Sequence, residues 1–147
     1  MFSLTKFLFP PATLRTVGFE DVLHAIKNPH NCLIINTLHT TEQYCLILST
    51  LAIHLEEKRI NELIDNYETK KVHILVYGRN SQDITAETKC KQLLALGFSN
   101  VYLYTSGLFE WCLLQDIYGY KAFPTTNTID DILRFKPAKM IDVQALR

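Results

Sequence analysis

The sequence predicts an α/β domain of three layers, with helices covering both faces of a mainly parallel sheet. Three observations carry that expectation. The runs Cys32-Leu33-Ile34-Ile35-Asn36 and Val72-His73-Ile74-Leu75-Val76-Tyr77 are almost continuously apolar, as strands buried on both faces are. They alternate with segments whose apolar residues recur at helical spacing, the pattern of a parallel α/β sheet. The second run passes through a short polar loop into a helix and then into a third extended segment, a strand-helix-strand crossover expected to be right-handed.

Taken in order, Leu14 to Val17 reads as a short strand, and Phe19 to Asn28 as a helix with Val22, Leu23 and Ile26 on one face and Pro29 at its end. After the strand Cys32 to Asn36 come Glu42-Gln43-Tyr44 and two brief extended pieces, Leu46 to Leu48 and Leu51 to Ile53. Leu55 to Tyr67 is an amphipathic helix, with Ile60, Leu63 and Ile64 inward and Glu56, Glu57, Lys58 and Arg59 outward. The strand Val72 to Tyr77 is followed by a helix from Ile84 to Leu96, which Gly97 closes in a left-handed cap. Phe98 to Tyr104 returns as a strand, and Gly107 to Ile117 forms a short helix bearing Leu108, Trp111, Leu113 and Leu114, ended by Gly119. Beyond Pro124 the pattern weakens, although Ile129, Ile132, Leu133 and Phe135 keep helical spacing before Pro137, so part of this segment is expected to fold back and the last ten residues to form an arm.

The chain of 147 residues, 48% of them hydrophobic, fits one domain with a sizeable core. The division expected is an N-terminal arm over 1–13, the domain over 14–123 and a C-terminal extension over 124–147. Fifteen basic residues balance fifteen acidic ones, so there is no positive field to hold phosphate backbones, and nucleic acid is not an expected partner. Cys32, Cys45, Cys90 and Cys112 form no C-x-x-C pair and no metal-ligand spacing; they read as buried free thiols of a reducing, cytoplasmic setting. His24, His30, His39, His54 and His73 are scattered, so no metal or other cofactor is expected. The segment Met1 to Pro11 is rich in phenylalanine, yet it has no uninterrupted apolar core and ends in two prolines. It reads as neither secretory signal nor membrane span, but as an arm that packs on the domain or docks on another chain.

The loop Gly78-Arg79-Asn80-Ser81-Gln82-Asp83 sits between a buried strand and a helix, where active sites of parallel α/β domains usually lie. Together with Leu96-Gly97-Phe98-Ser99-Asn100-Val101 approaching the last strand, and Trp111 after Gly107, it resembles a rhodanese-like domain, over roughly Leu14 to Phe123. The segment Leu108 to Gly119 is similar to that of rhodanese-like proteins of protists and large DNA viruses. The resemblance implies a five-stranded sheet in three α/β/α layers. It also implies a nucleophilic cysteine first in the loop, followed by arginine. Here the arginine is Arg79, but the cysteine position is held by Gly78. The family's second strand commonly ends in Asp-x-Arg, where this chain has Asn36-Thr37-Leu38, so the charges of the pocket floor are replaced as well.

A rhodanese thiolate is nucleophilic because loop amides and a helix N-terminus lower its pKa and cradle the persulfide. Without the sulfur, Gly78 to Asp83 is expected to be a degenerate binding loop: a plain solvent-exposed turn in the first reading, or, in the alternative, a turn whose amides and Arg79 bind an anion. The resemblance thus implies a catalytically inactive module acting in protein interaction, through a partner or through self-association, or as a structural part of an assembly such as a virion. The alternative is a sulfurtransferase or thiol-dependent phosphatase using a displaced cysteine, for which Cys112, just past a strand end, is better placed than Cys45 or Cys90. Ser81 has Asp83 nearby but no base beside it, and one glycine without a lysine makes no nucleotide loop.

If the arm carries association, deleting Met1 to Phe9 should leave unfolding cooperative while reducing the mass seen by light scattering; loss of the folded state on deletion would assign the arm to the core instead.

Overall fold

A computed structural model describes residues 14–141; the N-terminal arm and the residues after Ile141 lie outside them. The elements in order are β1 (Arg15–Val17), α1 (Phe19–Lys27), β2 (Cys32–Asn36), a 3-10 turn (Thr40–Glu42), α2 (Ile53–Asp65), β3 (His73–Tyr77), α3 (Ile84–Ala95), β4 (Asn100–Tyr104), α4 (Gly107–Tyr118) and a second 3-10 turn (Ile132–Phe135). The strands form one parallel sheet in the order β1-β4-β3-β2. The α/β class and the three layers are as expected, but among the described residues the sheet has four strands, not five.

The missing strand is the Leu46 to Ile53 segment. Ser49 adopts φ 71°, which breaks extension, and the segment touches other backbone only through single bridges, Ile34 with Thr50 and Ile47 with Thr125. Ile53 already belongs to α2. The apolar character that suggested a strand is spent on burial: Leu46 and Ile47 lie in the core while Leu48 is exposed.

The period-two alternation of the strands divides the interior into two cores. Cys32, Ile34, Leu75, Tyr77 and Tyr104 face Val22 and Ala25 of α1 and Leu108, Trp111 and Cys112 of α4. Ile35, Ile74, Val76 and Val101 face Ile60 and Leu63 of α2 and Ala86, Cys90 and Leu93 of α3. All four cysteines are buried and free. Glu56, expected on the solvent face of α2, instead turns toward α3 and pairs with Lys89 at 2.6 Å.

Trp111 anchors the first core and is fully buried. Of the leucines expected beside it, Leu108 shares its core and Leu114 packs against that core, while Leu113 is exposed. Phe123 meets the indole edge-on at 5.2 Å and Tyr104 at 6.3 Å, an arrangement that aromatic quadrupoles favour. The indole N–H donates to the Pro124 carbonyl at 3.1 Å, so the ring also fixes where the C-terminal segment leaves the domain. Instead of a helix, that segment makes only the 3-10 turn, where Phe135 is buried, Ile129 and Ile132 are half-buried and Leu133 is exposed. One inserted ring and a run of side-chain contacts to the loop, described below, hold it down.

Trp111→Ala should destabilise the fold by about 3–5 kcal/mol through the cavity it leaves, read as a lower denaturation midpoint by urea titration.

Candidate functional site

The loop after β3 lies at the carboxyl edge of the sheet, between α3 and α4. Gly78 and Asn80 are buried, Arg79 and Asp83 half-buried, and Ser81 and Gln82 exposed. The expectation of a solvent-exposed turn is therefore wrong for most of the loop. The segment after Pro124 runs back across it and covers it.

Two close approaches shape the site. The loop is pressed against the start of α4, where the Leu108 N–H donates to the Gly78 carbonyl and the Phe109 N–H to the Arg79 carbonyl, both at 3.0 Å. Gly107 allows this contact: its φ is 65°, and a Cβ there would lie 2.6 Å from the Gly78 carbonyl oxygen, so both conformation and space exclude a side chain. The second approach is within the loop. A Cβ on Gly78 would lie 2.5 Å from Asp83 Oδ2, which means that the Asp83 carboxylate occupies the space where a side chain at position 78 would begin.

That carboxylate also takes the donors that could have held an external anion. Asp83 caps α3, its Oδ1 accepting from the Thr85 N–H at 3.0 Å, while its Oδ2 accepts from the Arg79 N–H at 2.9 Å. Asn80 Oδ1 accepts from the Gln82 N–H at 2.9 Å, and the Asn80 carbonyl from the Asp83 N–H at 3.2 Å. Capping side chains satisfy the free N–H groups of a helix start; here they come from the loop itself. The sequence reading passed over the signal for this role, an aspartate immediately before the first helical residue, Ile84.

Side chains from the loop then clamp the C-terminal segment. The Arg79 guanidinium pairs with Glu42, donates to the Arg134 carbonyl and lies 5.4 Å from the centre of the Phe135 ring. Asn80 Nδ2 donates to the Phe135 carbonyl at 2.9 Å. Gln82 makes a two-point contact with backbone, Nε2 donating to the Ala138 carbonyl at 3.2 Å and Oε1 accepting from the Ala138 N–H at 2.7 Å. Beneath, Asn36 and Gln43 join as an amide pair at 2.9 and 3.1 Å, and Asn36 Oδ1 also accepts from the Leu38 N–H. The pocket floor is therefore neutral and internally satisfied. Of the six loop residues read from sequence, the structure brings Arg79, Asn80 and Gln82 together on the covering segment and Asp83 under Gly78. Ser81 has no role in the contacts.

Sequence reading missed the part that Glu42, Arg134 and Phe135 play in holding the loop. Cys45 and Cys112 both lie in the first core, where burial disfavours the thiolate at either of them. Cys90 is raised to about 11 by desolvation.

Two hollows lie nearby or opposite. A groove of about 610 Å³ runs between α2 and α3 beside the loop, lined by Leu38, Ile53, Ile84, Thr85 and Lys89 among others, with Ile84 left 74% exposed at its rim. A hollow of about 260 Å³ opens at the amino-terminal halves of the strands, with His24, Cys32, His73 and Tyr102 on its wall. Among the described residues no three His, Cys, Asp or Glu side chains are grouped as a metal site, and no helix is long and apolar enough to cross a membrane.

The family model for the rhodanese-like domain matches residues 36–114, the stretch from the end of β2 through the loop to the middle of α4. This chain belongs to the rhodanese-like family. Solved structures with the same fold include a Bacillus halodurans protein (17% identity, 90% of each chain covered, TM-score 0.57). A yeast protein tyrosine phosphatase of the rhodanese family is similar as well (11% identity, 80% of this chain and 95% of the other, TM-score 0.57). So is the As-Sb reductase of Leishmania major (12% identity, 72% and 79% covered, TM-score 0.51). No curated protein matches this rhodanese-like chain. At these identities the likeness shows the fold and leaves the chemistry to the site.

The Gly78 and Asp83 contact yields a coupled prediction. Gly78→Ala should cost roughly 0.5–2 kcal/mol by displacing the capping carboxylate, and the cost should shrink in an Asp83→Gly background, as a double-mutant cycle by chemical denaturation would show.

Proposed function

We propose that this rhodanese-like domain is non-catalytic at its loop and serves as a protein-interaction or structural module. The observation that carries the reading is the Asp83 carboxylate seated against Gly78, bound to the Arg79 and Thr85 amides. In the family resemblance that place belongs to the nucleophile and its anionic cargo. Here a fixed negative charge holds the donors, and a second anion brought beside it would be repelled in a site of low effective dielectric. The covering segment adds to this, since Arg79 is already engaged by Glu42 and the Arg134 carbonyl.

An interaction role is supported by the groove between α2 and α3, which leaves Ile53 and Ile84 exposed; isolated apolar residues are common on surfaces, but a lined groove rimmed by them is what partner chains use. Partner protein and second copy are both compatible with this surface. Four buried free thiols support a reducing, cytoplasmic setting.

The test is enzymatic. The full chain, given thiosulfate and cyanide or a generic aryl phosphate, should release neither thiocyanate nor phosphate above the uncatalysed rate. Turnover abolished by changing a single cysteine would overturn the reading. Gly78→Cys should remain inactive, because the new Cβ meets Asp83 and the floor is the neutral Asn36 and Gln43 pair. Robust thiocyanate release by that variant would show a pocket that needs only its sulfur.

A further inference from the structure

The segment that crosses the loop is held in the way a bound peptide is held. Its last backbone bond to the domain runs from the Thr126 N–H to the Leu46 carbonyl at 2.8 Å, beside Asn127, whose side chain binds the Tyr44 carbonyl. Among the described residues beyond these, the backbone bonds are internal to the segment, Arg134 to Asp131 and Lys136 to Leu133, and no ladder joins it to the sheet. What holds it is side chains of the loop reaching its main chain. Arg79 donates to the Arg134 carbonyl, Asn80 Nδ2 to the Phe135 and Lys136 carbonyls at 2.9 and 3.3 Å, and Gln82 engages both the carbonyl and the N–H of Ala138. These contacts recognise an extended path, and two residues add selectivity to it. Phe135, only 2% exposed, is inserted into the same core cluster as Trp111. Lys136 stands at φ −59° and ψ 152°, the extended conformation imposed on a residue that precedes proline, here Pro137. The flanking Leu133, Met140 and Ile141 are exposed.

We propose that the loop is a receptor for an extended Phe-x-Pro segment, filled here by the chain's own residues 134–138, and that a second copy of the chain associates by seating the same segment there in exchange. The inference rests on the reading of the loop as a non-catalytic interaction site, and it names the partner. A second copy is the partner whose fit is already displayed, because it carries the segment that the loop holds. Exchange replaces each contact by its identical counterpart, so the dimer is reached at low cost once the segment has opened. Opening is local: it releases one ring and the hydrogen bonds of three loop side chains, while the sheet and its helices stay paired. Residues 128–134 span at most about 25 Å when extended. Two copies therefore exchange segments with their loops facing one another, the arrangement of a closed two-fold dimer.

The experiment takes the full chain and, as a probe for a second copy's segment, a fluorescent peptide of residues 131–141. In the wild-type chain the tethered segment competes at high effective concentration. Phe135→Ala weakens that occupant, so the variant should bind the peptide about ten-fold more tightly than wild type does, or better, and a peptide whose own phenylalanine is changed to alanine should bind neither chain. Adding Gln82→Ala to the variant should weaken its hold on the peptide. Equal binding by the two chains, or no saturable binding by a folded variant, overturns the receptor. The wild-type chain supplies a second measurement that needs no variant: its mass by light scattering should rise to that of a dimer on concentration and return to that of a monomer with excess peptide, but not with the alanine peptide. A monomer at every concentration, or a dimer that the peptide leaves intact, overturns the exchange. Turnover of thiosulfate or of a phosphate ester would overturn the reading of the loop with no peptide present, whereas an inactive chain that fails to bind the peptide overturns this inference alone.

Discussion

The N–H groups at the start of a helix that follows a buried strand need acceptors, and this site is organised around meeting that need from within. Asp83 and Asn80 accept from Arg79, Gln82, Asp83 and Thr85. An unpaired buried donor costs more than an ordinary hydrogen bond contributes, so the first residues of α3 and the loop before it are held in one arrangement. Gly78 must then lack a side chain, since the carboxylate stands where one would start, and Gly107 must lack one because the loop carbonyls press against α4. Two glycines and one aspartate thereby set the distance between the loop and both neighbouring helices.

With the loop held in this way, its remaining polar side chains are directed outward, and the C-terminal segment meets them. Arg79, Asn80 and Gln82 each bind backbone of residues 134 to 138. Backbone contacts of this kind hold a segment that has little regular structure of its own, and they depend on the path of the chain more than on its side chains. Phe135 supplies the apolar part, buried in the first core beside Arg79. At the other end of the segment Trp111 binds the Pro124 carbonyl, so the covering piece is fixed where it leaves the domain and where it crosses the loop.

The sheet and its helices are shared with proteins that include, by their names, a yeast tyrosine phosphatase and a Leishmania As-Sb reductase. A fold of this kind supplies a loop at the carboxyl edge of a parallel sheet and leaves the chemistry to a few side chains placed there. In this chain those side chains satisfy one another.

The elements were legible in the sequence because their signals are local. The apolar runs Cys32 to Asn36 and Val72 to Tyr77 read as strands buried on both faces, and Val22, Leu23 and Ile26, like Ile60, Leu63 and Ile64, marked helices by their spacing. Gly97 and Gly119 marked helix ends that the backbone takes up with positive φ. Leu46 to Ile53 misled, because a short apolar run is equally suited to a strand and to an irregular buried segment, and only Ser49 and the single bridges decide. Asp83 could be read as a cap, but its second contact, with the space above Gly78, depends on how the loop closes. The clamp on the C-terminal segment joins Asn80 to Phe135 across 55 positions, and no spacing announces it. Sequence by itself determined which segments become strands and helices, since periodicity and turn chemistry act over a few residues; tertiary structure alone decided how the strands pair and whether the loop is open, since both depend on groups brought together only when the chain folds.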